Sequence, residues 1–257
     1  MDYILIAFTA LLASALTLYS GFGLGTILLP AFALFFSVDT AVAMTAIVHL
    51  LNNIFKLFLV GKHVDKEVVL KFGITAFLFA LLGALFLVQF SELPAIASYT
   101  LSGSTFYITP VKLIIGILIL MFALLDFAPS FKKMALGRKW LPLGGVLSGF
   151  FGGLSGHQGA LRSAFLIKSG LSKEAFIATG VTIAAIIDVS RLFIYSTRFQ
   201  MEFSADNLSL LLTALLAAFA GAFIGARLIK KVTLRGIHLL VGILLIVIAV
   251  GIGLGII

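Results

Sequence analysis

Ser20-Gly21-Phe22-Gly23-Leu24-Gly25-Thr26-Ile27-Leu28-Leu29-Pro30 cuts a long apolar run with three glycines at alternate positions. A second glycine cluster, Phe151-Gly152-Gly153-Leu154-Ser155-Gly156-His157-Gln158-Gly159, stands at the matching point of the second half-chain. Glycine weakens a continuous helix, yet it allows a sharp turn or a close approach to another group. Both stretches therefore read as helix breaks, and the chain is organised around them.

The surroundings of the breaks fix the class. Of 257 residues, 61% are hydrophobic and 11% charged, and mean hydropathy is +1.23. A soluble domain carries roughly 25% charged residues. Apolar runs of about 20 residues, the length that crosses a bilayer core, recur from end to end. The short-period alternation of a β-barrel is missing. The expected fold class is an all-α polytopic membrane protein. With no cysteine, disulfides and thiolate chemistry are excluded. Ala13-Ser14-Ala15 resembles a signal-peptidase site, but Asp2 stands where a signal peptide is basic, so residues 3–20 read as retained.

In order, residues 3–20 lead to the first break, and Thr26–Phe36 is too short to span alone. Helices are expected at about Thr40–Val60, Val68–Phe90 and Val111–Ala128, with a loop over 91–110. The linker 129–141 is basic. Leu143–Phe150, the second break and the short Ala160–Ile167 follow. Helices then come at about Lys173–Tyr195, Leu208–Ile229 and from the Lys230–Arg235 turn to the end. Each half reads as a broken segment and three helices: repeat 1 about 1–128, repeat 2 about 142–257, forming one transmembrane domain. Ala41–Thr45 matches Ala175–Thr179, and a spacing of about 135 pairs Asn53 with Asp188 and Lys56 with Arg191.

Charge placement sets the expected topology. Fourteen of the 18 basic residues fall in four clusters: Lys62/Lys66/Lys71, Lys132/Lys133/Arg138/Lys139, Arg162/Lys168/Lys173 and Arg227/Lys230/Lys231/Arg235. If each broken segment crossed once, the last cluster would lie outside, against the positive-inside rule. If each dips in and returns, all four lie inside and both termini are external. Three full spans per half then invert one half relative to the other. The breaks become tips of re-entrant hairpins from opposite faces, where backbone at depth must line protein or water. Helix N-termini there favour an anion, at Gly23–Thr26 and Gly156–Gly159. Paired breaks of this kind point to a transporter's binding site. The competing reading is that the glycines serve helix crossing alone.

Ionisable groups inside a span are functional candidates. His49, Asn52, Asn53 and Lys56 share one helix face, and Asp188 and Arg191, three apart, can pair. His157 and Gln158 occupy the second break. For Lys56 and Arg191 snorkelling stays open beside substrate binding, and for Asp188–Arg191 a purely structural ion pair does. Arg162, Arg227, Lys112 and His238 read as interfacial. The balance leans positive, so a small anion is the favoured ligand. Neither paired histidine metal ligands nor a nucleotide-binding Walker loop nor a nucleophile elbow is present. No metal, cofactor or nucleic-acid partner is expected.

These motifs together resemble the TauE/SafE sulfite exporter family, also called the 4-toluene sulfonate uptake permease family. The resemblance is carried by Gly21-x-Gly23-x-Gly25 with Pro30, by Val38-Asp39-Thr40-Ala41…Thr45, by the polar face running to the Lys62–Asp65 turn, and by the second glycine cluster with Ala175…Thr179. It implies a cell-membrane transporter of sulfite or related sulfur oxyanions or organosulfonates, an exporter driven by an ion gradient, proton or sodium. This chain departs from the pattern where no proline follows the second break and His157-Gln158 hold its tip. The expected substrate-binding set is Gly23, Gly25, Thr26, Asn52, Asn53, Lys56, Gly156, His157, Gln158, Asp188 and Arg191. Rival readings are an ion-coupled carrier of another solute with Asp188 as ion site, and a membrane-embedded enzyme or assembly factor.

Overall fold

The structure, a computed structural model, describes residues 2–20, 24–127, 137–198, 205–228 and 235–257. Ten α-helices carry the fold among them. α1 (Asp2–Ser20) and the ten-residue α2 (Leu24–Ala33) flank the first break. α3 (Val38–Val60), α4 (Lys66–Ser91) and α5 (Pro110–Phe127) follow. α6 (Leu141–Ser155) and the eight-residue α7 (Gly159–Leu166) flank the second break, then α8 (Lys173–Arg198), α9 (Ala205–Leu228) and α10 (Arg235–Gly253) complete the chain. Four of these are long and apolar enough to cross a membrane by themselves: α3, α4, α8 and α9. The 23 residues of α3 reach about 34 Å, whereas α2 and α7 reach only about 15 and 12 Å. The outer surface is that of a lipid-facing protein. Phe58 is 84% exposed while Lys56, two residues away, is 4% exposed.

Local chemistry sets the ends. Asp65 caps α4 by accepting from the Val68 N–H at 3.0 Å. α6 stops because Gly156 turns left-handed, with φ of 80°, a conformation a side chain would oppose. The 91–110 stretch, expected as a loop, instead forms an antiparallel hairpin of β1 (Ala97–Leu101) and β2 (Ser104–Ile108). Its two-residue turn, Ser102-Gly103, has both φ values positive, as tight hairpins require. Tyr99 stacks on Phe106 across the strands.

Helix packing is reciprocal between the halves. α4 packs along α6 while α9 packs along α1; α5 meets α10, and α3 meets α8. Bare glycine backbone makes the closest of these contacts possible. A side chain begun at Gly153 would lie 2.1 Å from the Ala80 carbonyl, and one at Gly221 would lie 2.2 Å from the Leu11 carbonyl. Within each broken pair the helices also touch, α1 with α2 and α6 with α7. Because α6 runs beside α4, the second break faces Gly83, about two-thirds of the way along α4.

Two ends of the bundle can be told apart. At one, Arg138 binds Asp65 at 3.2 Å, Glu67 at 3.0 Å and the Ser169 carbonyl at 2.7 Å. That gathers three of the four basic stretches. At the other end the hairpin holds the C-terminus, with Tyr99 donating to the Leu254 carbonyl at 2.9 Å. Tyr3 meets Ser209 at 2.6 Å, near the start of α9.

Gly153→Val is expected to destabilise the fold by about 1–3 kcal/mol through overpacking. Gly137→Ala, with nothing within 4 Å of the new methyl, should change stability little. Thermal unfolding of both variants in detergent, followed by circular dichroism, checks the contrast.

Candidate functional site

The start of α2 meets the second glycine break. A side chain begun at Gly25 would lie 3.4 Å from the Gly156 carbonyl and 3.5 Å from the Thr45 methyl. One begun at Gly156 would lie 2.8 Å from Arg191 Nη1. Shortness brings this about. α2 and α7 start at the breaks rather than at a membrane surface, so their first residues sit inside the bundle. α3 and α8 cross beside them and present their polar faces to the junction.

Asp188, on α8, lies at the centre and is fully buried. Its Oδ2 lies 2.6 Å from His49 Nδ1 and accepts from Asn53 Nδ2 at 3.1 Å. Its Oδ1 accepts from Arg191 Nε at 3.0 Å, Arg191 Nη2 at 2.7 Å and Gln158 Nε2 at 3.4 Å. The carboxylate oxygen facing His49 makes Nδ1 the protonated nitrogen of that ring. Arg162 extends the chain of contacts, donating to Gln158 Oε1 at 3.1 Å. Asp188 is thus ringed by donors, whereas a cation site needs acceptors around the ion.

Lys56 and Arg191 are not snorkelling to a surface. They are 4% and 0% exposed, inside the protein. The shared face of α3 divides in two. His49 and Asn53 turn to Asp188, while Asn52 and Lys56 turn toward α1 and α9. With the Asn52 amide oxygen facing Lys56, Nζ donates to it at 3.2 Å, and the amide nitrogen donates to the Ala218 carbonyl at 3.2 Å. Ser14 Oγ lies 3.1 Å from the same amide.

Gly25, Asn53, Gly156, His157, Gln158, Asp188 and Arg191 of the expected set come together here. Thr26 is buried at the start of α2, and Gly23 lies outside the described residues. Arg162, expected at an interface, is a correction: it is 9% exposed and joined to the central network. It was misplaced because an eight-residue helix gives no periodic signal of depth. Lys112 does sit near a helix end, donating to the Gly255 carbonyl at 3.4 Å. The side chains of Arg227 and His238 lie outside the described residues. Thr45 at the junction was missed as a site residue, although it belongs to the motif quoted above.

The charge balance is unequal. Among the described residues the buried strongly basic side chains are Lys56, Arg162 and Arg191 against the one buried acid Asp188, a formal excess of two basic groups. Burying unpaired charge is costly, so such a site favours a negative ligand. Asp188→Ala should cost about 3–5 kcal/mol, because it leaves the Arg191 guanidinium buried without its counter-charge. Chemical unfolding of the purified variant beside the wild type measures this.

Comparison with known proteins agrees with the geometry. The family model described as sulfite exporter TauE/SafE matches residues 6–252. No curated protein and no solved structure gives a significant match. Nearly the whole of the chain, both glycine breaks and the central charged network included, falls within the match, and the protein belongs to the TauE/SafE sulfite exporter family.

Proposed function

We propose that this protein is a secondary transporter that exports a small sulfur-containing anion, sulfite or a related oxyanion or organosulfonate, by alternating access. The observation that carries the reading is the burial of Lys56, Arg162 and Arg191 with a single buried acid, Asp188, among the described residues, Arg191 lying at the Gly156 turn that Gly25 approaches. Membership of a sulfite exporter family supplies the substrate class. Transport without catalysis needs only binding and a change of exposure, and the central groups are suited to binding: guanidinium, ammonium, amide and hydroxyl donors around one carboxylate.

The reciprocal packing of the halves supports an inverted pair, about 1–128 and 142–257, moving against each other around the site. The Asn53–Asp188 hydrogen bond joins two residues 135 apart, the spacing of the duplication. Such a bond falls between equivalent positions only near a two-fold axis. By the positive-inside rule the Arg138 end is cytoplasmic and both termini are external, in the cell membrane. An ion gradient, of protons or sodium, drives the export.

Proteoliposome flux under imposed ion gradients tests the proposal with sulfite, sulfate, thiosulfate and a sulfonate in parallel. Sulfite or a close relative should move at the highest rate, and a flat response to all four anions would overturn the reading. Lys56→Met is the informative variant. It removes one buried positive charge and leaves the Asp188–Arg191 pair whole. Sulfite KM should rise, because one buried basic group that attracts the anion from beside the site is gone, with a loss of stability no larger than about 1–2 kcal/mol for the Asn52 bond.

A further inference from the structure

Among the described residues three buried side-chain polar atoms make no hydrogen bond: Thr45 Oγ1, His157 Nε2 and Arg191 Nη1. The three residues are 1%, 2% and 0% exposed. Unsatisfied groups so deep are rare, and each needs a reason. They are not scattered. Thr45 stands against Gly25, Arg191 Nη1 points at Gly156, and His157 follows Gly156 directly. All three mark the junction of the two breaks.

Helical hydroxyls elsewhere in this chain bond back to the preceding turn, as Thr182 does to the Ala178 carbonyl at 2.9 Å and Ser190 to the Ile186 carbonyl at 2.8 Å. Thr45 does not. Arg191 spends Nε and Nη2 on Asp188, which fixes the guanidinium plane and leaves Nη1 on the Gly156 side. Asp188 is therefore a positioning residue for this arginine.

His157 is different in kind. Ser155 Oγ donates its hydrogen to the Phe151 carbonyl at 3.0 Å, so toward His157 it is an acceptor. Nδ1 lies 3.1 Å from that Oγ and 3.1 Å from the Ser155 carbonyl. Two acceptors place the ring hydrogen on Nδ1. In the neutral ring Nε2 is then a bare lone pair, held in place by the stacking of the imidazole on Phe122 at 5.5 Å and 8°.

We infer that Thr45, Arg191 and His157 form a seat between the glycine breaks for a small oxyanion bound together with one proton. This rests on the anion-transport reading above. Thr45 Oγ1 and Arg191 Nη1 donate to two oxygens of the anion. His157 Nε2 meets a third, and a lone pair facing an anionic oxygen is repulsive unless a hydrogen lies between them. The hydrogen comes either on the anion, as in hydrogen sulfite, or on the imidazole, and the proton count of the complex is the same. The other charged and titratable groups at the junction are Arg191, Asp188 and Tyr195 on α8, the tyrosine hydroxyl donating to the Gly153 carbonyl, with His49 on α3 and Arg162 on α7 joined to them through Asp188 and Gln158. From α5 comes the uncharged Phe122. A carrier so built moves the anion as an acid, so its flux depends on the proton gradient.

The test is isothermal titration of sodium sulfite into the purified protein from mildly acidic to alkaline pH, with His157→Phe, Thr45→Val and Thr45→Ser beside the wild type. Wild-type affinity should fall about tenfold per pH unit on the alkaline side, the signature of one linked proton. His157→Phe keeps the aromatic stack and should flatten that slope. His157→Leu serves if the larger ring does not fold. Thr45→Val should weaken binding about tenfold at every pH with the slope kept, and Thr45→Ser should restore it. Neither atom is bonded now, so Thr45→Val should melt no lower than the wild type. A protein that moves sulfite in proteoliposomes yet binds it equally well, with an unchanged slope, in His157→Phe and Thr45→Val overturns the seat alone. A wild type that neither moves nor binds any oxyanion overturns the transport reading with it.

Discussion

A carboxylate cannot sit unpaired inside a membrane-embedded bundle, and Asp188 is the point from which the interior of this protein is arranged. Its two oxygens take five contacts, from α3, from the α6–α7 break and from its own helix. Meeting that requirement fixes the register of α3 against α8, since a shift by one residue would turn His49 and Asn53 away. It also holds the second break against α8 through Gln158. The same contacts orient Arg191, whose charge would otherwise be as costly to bury as that of Asp188. One ionised side chain thereby ties together a span, a crossing helix and a broken segment.

Such a network can form only where helices come close, and water does not drive them together in lipid. Glycine does part of this work by steric omission. Gly145, Gly149 and Gly153 on α6 lie against the backbone of α4, and Gly221 and Gly225 on α9 lie against that of α1. These contacts hold the first helix of each broken pair to a full-length helix of the other half. The breaks are then delivered to the middle of the bundle rather than to its rim. Close packing and a polar centre are two consequences of where the glycines fall.

Much of this was legible in the chain. Composition gave the membrane class, and the duplicated breaks gave the pairing of short helices with long ones. The spacing of about 135 that matched Asn53 to Asp188 turned out to join two residues in direct contact. Other features carried no signal. Arg162 falls in a basic cluster next to Lys168, so its position along the chain resembles an interface while its depth depends on α7 starting inside the bundle. The hydroxyl of Thr45 is silent among the apolar residues beside it in the sequence, because only the fold shows that it makes no hydrogen bond. The hairpin at 97–108 was hidden by its small size, since five-residue strands with exposed faces leave almost no hydrophobic pattern. What stayed unread was tertiary: depth, partner and direction rather than residue type.

The distribution of bond strengths bears on how the site would change its exposure. Arg138 holds three connecting segments at one end, but it is 42% exposed and its carboxylate partners, Asp65 and Glu67, are 24% and 54% exposed. Pairs of that kind contribute little to stability and are easily exchanged for water. The contacts of Asp188 are buried and cannot be exchanged in that way. A movement that opens the Arg138 end therefore costs little, whereas one that pulled α3 from α8 at Asp188 would strand a charge. The firm centre is therefore the contact of α3 with α8, to which Gln158 also ties the α6–α7 break. If the protein works by alternating access as proposed, an anion seated at the Gly25–Gly156 junction would touch this centre together with α2 and the α6–α7 break, and its binding there would bias which end is open.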